Sequence, residues 1–419
     1  MDSPIVRAVF SFVGVFVWIG TDKKYPKTWN LQRLGFSWLV KRLLSQPSPP
    51  PVDGKYPPRQ KRRAPAPPHD ITIEQVLVPR VALPGLDKNP IAEPMEAEWI
   101  ASAKCNDASP VVLWSHGGAY VVGEKEMARQ HVYGLARAGI KTLSIEYRLA
   151  PENTYPDALL DAYSGYQYLL KQGVKPERIV IAGESAGGGL TLSLAIYLRD
   201  HGVQLPAGIT VFSPWVDLTH STPTMYIAHE FACDILPQLP KEGRAGAHPA
   251  AKYTGVDKYA ERRMVPTVSP LFDGEKGLPP QLITTGTHDR LLAESIAYAL
   301  TRQDRGDVVQ LEIYENQPHV FQLFDCKPTQ TSYARLLEFV TTVTEGKDVQ
   351  PSATELSDPR SGPVIATSVP FSNIRDRLAK LMERATKDAP WAVERAKSGE
   401  GGSGGGWKVY VEAAGVKEK

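Results

Sequence analysis

Hydrophobic and polar positions from residue 71 to about residue 345 alternate between two patterns. Short runs rich in β-branched residues predict strands, and longer stretches with apolar residues at helical spacing predict helices. We predict strands at residues 71–78, 110–115, 140–147, 178–183, 208–214, 281–286 and 308–315. We predict helices at residues 155–170, 190–200, 290–304 and 330–345. Strands separated by helices indicate an α/β fold, with a mainly parallel sheet covered on both faces.

Two stretches depart from this alternation. Residues 217–268 are irregular and rich in Pro and His, which is typical of an insertion between two strands. Beyond residue 346 the pattern ends: residues 372–389 fit a surface helix, and "GEGGSGGG" (399–406) is typical of a flexible linker. We therefore predict one α/β domain over residues 71–345 and a low-complexity tail over residues 346–419.

The N-terminal region has a different character. Residues 8–20 hold no charge, but a membrane-spanning helix needs roughly 20 apolar residues. An uncleaved membrane anchor, a buried cap helix and a cleaved secretory signal all remain open. The rest of segment 1–45 contains a basic amphipathic stretch at residues 28–44, which would lie on a membrane surface or cover a pocket. Residues 46–70 are rich in Pro and basic, and predict an extended linker.

Composition excludes several classes of protein. The 419 residues are 42% apolar and 22% charged, with a formal net charge of +2. That balance gives no reason to expect nucleic acid as a partner. Cys105, Cys233 and Cys326 are too few and too scattered for a disulfide framework or a metal motif. We expect no metal centre.

The strongest chemical motif is "GESAG", residues 183–187, which follows a predicted strand and opens a predicted helix. A G-x-S-x-G sequence in that context is typical of a nucleophile elbow, in which a strained turn presents the serine above the carboxyl ends of the strands. The start of the following helix favours developing negative charge. We predict Ser185 as a nucleophile.

A serine nucleophile needs a general base, and the base needs an orienting acid. His319 follows the last predicted strand in a loop and is the candidate base. Asp289 follows the preceding strand and is the candidate acid, with its neighbour His288 interpreted as structural. The alternative acids, Asp217, Asp234 and Glu315, are less well placed along the chain.

Two glycines directly after a buried strand, in "HGGAY" (116–120), also need an explanation. Acyl transfer develops negative charge on a former carbonyl oxygen, which backbone N–H groups must be ready to receive. One donor would belong to Ala186, the residue after the nucleophile, and the others to this loop. We predict an oxyanion hole formed by Gly117, Gly118 and Ala186.

Several motifs occur in one order: HGGAY, "YRLAPE" (147–152), GESAGG, "SPWVDLT" (213–219), "LPPQLITTGTHD" (278–289) and "PHVF" (318–321). Together they resemble the hormone-sensitive lipase family of α/β-hydrolases over residues 105–345. The resemblance implies an eight-stranded, mainly parallel sheet flanked by helices, with a helical cap built from the N-terminal region and residues 217–268. It also implies esterase or lipase activity on small-acyl or lipid-like esters without a cofactor.

The apolar N-terminal segment is similar to that of the arylacetamide deacetylase and steryl acetyl hydrolase branch. That similarity implies membrane association at the endoplasmic reticulum, with a cytoplasmic protein as the alternative. The sequence departs from the family pattern at Glu184, which replaces Asp, at Ala293, which replaces an acidic residue, and at Val320, which replaces Gly. An amidase or deacetylase, or a non-catalytic ligand receptor of the same fold, are the competing functions. The sequence does not indicate an oligomeric state.

Overall fold

The computed structural model describes residues 64–86, 92–227, 231, 234–237, 248–359, 362–398 and 406–416. The predictions for residues 1–45, and for most of the linker 46–70, lie outside these ranges. Within them, every helix is too short or too polar to cross a bilayer.

One ten-stranded sheet organises the described chain, in the order β1-β2-β4-β3-β5-β6-β7-β8-β9-β10. Strands β3 to β9 run parallel, while β1, β2 and β10 pair antiparallel with their neighbours at the two ends of the sheet. The strands are Ile71–Val78 (β1), Met95–Ser102 (β2), Val111–Ser115 (β3), Lys141–Ile145 (β4), Ile179–Glu184 (β5), Gly208–Phe212 (β6), Gln281–Gly286 (β7), Val309–Tyr314 (β8), Ser352–Ser357 (β9) and Ile365–Val369 (β10).

Helices cover both faces of the sheet, which confirms the predicted α/β class. Alternate residues of β3 enter two separate cores. Leu113 packs with the helices of one face, and Trp114 packs with helices Arg129–Arg137 and Lys327–Thr344 on the other. The helices are Arg129–Arg137 (α1), Asp157–Lys171 (α2), Ala186–Asp200 (α3), Pro249–Thr254 (α4), Tyr259–Arg262 (α5), Leu292–Asp304 (α6), Lys327–Thr344 (α7), Phe371–Asp388 (α8), Pro390–Ser398 (α9) and Gly406–Ala414 (α10).

The C-terminal region differs from the prediction of a low-complexity tail. Residues 352–414 add strands β9 and β10 to the sheet, so that it has ten strands rather than eight, and they add helices α8 to α10. Ile374 and Leu378 of α8, with Trp407 and Tyr410 of α10, are buried in the larger core. The predicted surface helix therefore has an apolar face that packs inward, against α6 and α10.

The insertion, residues 217–268, leaves the sheet after β6 and returns before β7. Its described parts hold the short helices α4 and α5 and a 3-10 turn at Pro223–Met225. Tyr253 of α4 stacks on Tyr120 of the HGGAY loop, with ring centroids 3.8 Å apart. The insertion thus lies against the loop that the sequence predicts to carry the oxyanion hole.

Candidate active site

Ser185 occupies the sharp turn between β5 and α3 that the G-x-S-x-G motif predicts. Its backbone has φ 55° and ψ −122°, a conformation that a non-glycine residue seldom adopts. A Cβ at Gly183 would lie 2.5 Å from the carbonyl oxygen of Gly187, and a Cβ at Gly187 would lie 2.0 Å from that of Ser115. Both glycines are required because the chain passes too closely for any side chain.

The three residues predicted to form a triad lie in one hydrogen-bonded chain. His319 Nε2 is 2.9 Å from Ser185 Oγ, and His319 Nδ1 is 3.0 Å from Asp289 Oδ1. The backbone N–H of Leu291 also donates to Asp289 Oδ1, at 2.8 Å. These distances suit a base that accepts the hydroxyl proton while its other nitrogen is held by a carboxylate.

His319 is buried, and its surroundings favour the protonated ring. Burial alone would lower the pKa of His319, but the charge and hydrogen bond of Asp289 raise it above its ordinary value, with help from the charges of Asp234 and Glu184. A proton taken up by this ring would therefore be stabilised in place.

Gly117 does not fit the predicted oxyanion role. Its N–H donates to Glu184 Oε1 at 2.6 Å, so it is already occupied. A Cβ at Gly117 would lie 3.2 Å from Ser185 Cβ, which places this part of the loop directly against Ser185. Glycine is therefore favoured at position 117 because the loop passes close to Ser185 there. Gly117 is not an oxyanion donor, because its only N–H already donates to the Glu184 carboxylate.

The next residues of the loop turn their backbone into the left-handed region. Gly118 has φ +117°, and a Cβ there would lie 1.9 Å from the carbonyl oxygen of Val122, so only glycine fits. Ala119 follows with φ 55°. The N–H groups of Gly118, Ala119 and Ala186 donate to no acceptor in the described part of the chain. Ala119 was not predicted, since its left-handed backbone cannot be read from the residue type.

The other sequence candidates take different places. His288 is partly buried, its Nδ1 lies 3.2 Å from the Thr287 hydroxyl, and burial lowers its pKa to about 4. Asp217 accepts hydrogen bonds from Thr219 and Tyr410. Asp234, judged poorly placed from the sequence, accepts the backbone N–H of His319 at 2.8 Å.

Across the ranges described, no group of three or more histidine, cysteine or carboxylate side chains is arranged to hold an ion.

The family profile for the alpha/beta hydrolase fold matches residues 112–323, which include Ser185, Asp289 and His319. An esterase of Acinetobacter venetianus is 30% identical over 242 residues, covering 56% of this chain and 76% of the relative. The chain belongs to the hormone-sensitive lipase family of α/β-hydrolases. An acetyl-hydrolase of Streptomyces hygroscopicus is 32% identical over 233 residues, covering 54% of this chain and 73% of its own length.

Solved structures agree with membership of this family. An esterase of the bacterial hormone-sensitive lipase family superposes with a TM-score of 0.56 at 28% identity, covering 82% of this chain and 99% of that one. The esterase EstE5, soaked with p-nitrophenyl butyrate, superposes with a TM-score of 0.58 at 28% identity, covering 76% and 100%. The protein is an ester hydrolase of the hormone-sensitive lipase family. Strands β9 and β10 and helices α8 to α10 lie beyond the residues that the family profile matches.

Proposed function

We propose that the protein is a serine carboxylesterase in which Ser185, His319 and Asp289 act as the catalytic triad on small-acyl esters. The hydrogen-bonded chain from Ser185 through His319 to Asp289 is the observation that carries this proposal. The small acyl group is supported by the relative from Streptomyces hygroscopicus, which is named an acetyl-hydrolase.

Each triad residue has one task in this mechanism. His319 Nε2 takes the proton from Ser185 Oγ as the oxygen attacks the ester carbonyl, and it then gives that proton to the departing alcohol. Asp289 holds the Nδ1–H and stabilises the imidazolium. Water then attacks the acyl-enzyme with His319 again as base, which releases the acid and restores the serine.

The oxyanion that forms during each attack needs donors that are already oriented. We assign this role to the N–H groups of Gly118 and Ala119 in the loop, and to Ala186 at the start of α3. Three features support the assignment: these N–H groups are unused in the described chain, the loop lies against Ser185, and α3 presents its N-terminus there. Each such donor typically contributes on the order of 10²–10³ in rate.

The test is the variant Ser185→Ala assayed on p-nitrophenyl acetate. Loss of the nucleophile removes the acyl-enzyme route, so we expect kcat to fall by about 10⁶-fold while the melting temperature is retained. The matched control is Ser372→Ala, which changes an exposed serine of α8 and should leave kcat unaltered. A Ser185→Ala protein with wild-type turnover would refute the proposal.

A further inference from the structure

A buried carboxylate of the insertion reaches the backbone of both loops that carry His319 and Asp289. Asp234 is fully buried. Its Oδ1 accepts the N–H of His319 at 2.8 Å, and its Oδ2 accepts the N–H of Arg290, the residue after Asp289, at 2.8 Å. The N–H of Ile235 also donates to Oδ1, at 2.7 Å. One carboxylate thus bridges the loop after β7, which carries Asp289, and the loop after β8, which carries His319.

Arg290, in the loop after β7, makes hydrogen bonds in the opposite direction, from that loop to the insertion. Its buried guanidinium donates to backbone carbonyl groups of the insertion, with the shortest contacts from Nε to Leu236 at 3.1 Å and from the terminal nitrogens to Met225 and Phe231 at 3.2 Å. The insertion therefore supplies an acceptor to the catalytic loops, and one of those loops supplies donors to the insertion. The insertion is thus held by the guanidinium of Arg290, and the loop after β7 is held by the carboxylate of Asp234.

We propose that Asp234 is a positioning residue for ester hydrolysis, one that holds the loops of Asp289 and His319 at the spacing that proton transfer requires. This inference rests on the proposed triad. Of the three N–H groups that donate to Asp234, one belongs to Arg290, the residue after the catalytic acid, and another belongs to the catalytic base. A shift of this carboxylate therefore changes the 3.0 Å contact between Asp289 and His319. Errors of about 1 Å in such geometry can lower a rate by about 10²-fold.

Charge gives Asp234 a second, measurable effect on His319. The groups that face the imidazole are Asp289, Asp234 and Glu184, and all three raise its pKa. Around Asp234 itself, burial and the charge of Asp289 raise the pKa to about 6, against the influence of His319 and Arg290. Because His319 must be neutral to act as base, kcat/KM falls as the pH drops through the pKa of His319.

The decisive variant is Asp234→Asn, which keeps the shape of the side chain and removes its charge. One of the two bridged N–H groups then faces an amide NH₂ instead of an acceptor. We expect kcat on p-nitrophenyl acetate to fall by about 10- to 100-fold with little change in KM. We also expect the acid limb of the kcat/KM profile to move to lower pH, since a negative charge beside His319 is lost.

Two further variants separate charge from position. Asp257→Asn makes the same change at an exposed site of the insertion and should leave both kcat and the limb unaltered. Asp234→Glu retains the charge but displaces it, so kcat should fall while the limb stays in place. If Asp234→Asn does not fold, Asp234→Glu decides alone, and a wild-type kcat there would overturn the proposal.

The outcomes also distinguish this inference from the proposed function. Ser185→Ala and His319→Ala, measured beside it, test the triad: wild-type turnover in either would mean that the triad assignment has failed. If both lose turnover while Asp234→Asn keeps wild-type kcat and an unmoved limb, only the positioning role is wrong. A lower kcat with an unmoved limb in Asp234→Asn would also contradict it, since that result indicates general loosening of the fold.

Discussion

Glu184 connects the turn that carries Ser185 with the HGGAY loop (116–120). Its Oε1 accepts the N–H of Gly117 at 2.6 Å, and its Oε2 accepts Trp114 Nε1 at 2.7 Å. Burial raises the pKa of Glu184 to about 7, although these two donors favour the charged form. Only the carboxylate can accept on both oxygens without presenting a proton of its own. The residue next to Ser185 therefore orients the peptide that precedes Gly118 and Ala119.

We predict that Glu184→Gln lowers kcat on p-nitrophenyl acetate by about 10- to 100-fold with little change in KM. The amide leaves one N–H donor, that of Gly117 or that of Trp114, facing another donor, so we expect the HGGAY loop to shift. The shift would move the loop N–H groups that we assign to the oxyanion, which forms only in the transition state. Steady-state kinetics measure the effect, with the exposed Glu74→Gln as control. Wild-type kcat in Glu184→Gln would show that the loop does not depend on this carboxylate.

At the residue scale, the sequence indicated which loop meets the nucleophile but not which N–H groups are free. The error at Gly117 arose because its acceptor, the Glu184 side chain, is distant in sequence. Val320 is a second case: the departure from glycine is visible in the sequence, yet its left-handed backbone, φ 45° and ψ 51°, is not. The triad residues could be proposed because motif, strand order and loop position all pointed to them.

Helix α10 joins the structure through a buried polar network under the insertion. Tyr410 Oη donates to Asp217 Oδ2 at 2.8 Å and lies 3.0 Å from Thr222 Oγ1, while Thr222 in turn bonds to the Glu294 carboxylate. A Cβ at Gly406 would lie 2.1 Å from Ser221 Oγ, so the start of α10 sits directly on this loop. Asp217 and Glu294 are both buried, so a hydrogen bond lost here leaves a polar group without solvent to replace its partner. The same burial raises the pKa of both carboxyl groups.

We predict that Tyr410→Phe lowers the free energy of unfolding by about 1–3 kcal/mol, because the buried Asp217 Oδ2 loses the hydrogen bond from Tyr410. The turnover of short esters should be retained, since Tyr410 makes no contact with the triad. Chemical denaturation measures the change. The control is Tyr168→Phe, a partly exposed tyrosine of α2 whose hydroxyl has no hydrogen bond within the described ranges. Equal stability of the two variants would contradict the role of this network.

Among helices and strands, those with a strong hydrophobic periodicity were predicted correctly from the sequence, and those with a weak one were missed. The predicted strand 71–78 matches β1, and the predicted helix 155–170 matches α2 closely. Strand β10 was missed because it is short and nearly all exposed, and therefore carries no alternating burial signal. Helix α10 was missed because it follows a glycine-rich stretch that is typical of linkers.

At the scale of the molecule, the insertion packs against the HGGAY loop (116–120) through aromatic side chains. Tyr120 and Tyr253 are stacked and buried there, and Tyr120 also lies 6.1 Å from Trp215 between ring centroids. This arrangement agrees with the proposed preference for small acyl groups. Association of the N-terminal segment with a membrane stays a prediction.

We predict that kcat/KM of the full chain on p-nitrophenyl esters is highest between acetyl and butyryl and declines toward palmitoyl. The stacked rings of Tyr120 and Tyr253 pack at the HGGAY loop, and we expect this pair to keep longer acyl chains from productive binding. The series is measured at one pH in the presence of detergent below its critical micelle concentration. A maximum at long chains would contradict the small-acyl proposal and favour a lipid-like substrate, while leaving the triad untouched.

If Ser185 is the nucleophile activated by His319, an organophosphate ester should modify it covalently. The experiment is incubation with diethyl p-nitrophenyl phosphate, followed by peptide mass spectrometry. We predict release of about one p-nitrophenolate per chain, as expected when one activated serine forms the covalent adduct. The diethylphosphoryl group should be on Ser185, with no adduct in Ser185→Ala and much slower labelling in His319→Ala. Labelling of another residue in place of Ser185 would mean that Ser185 is not the nucleophile.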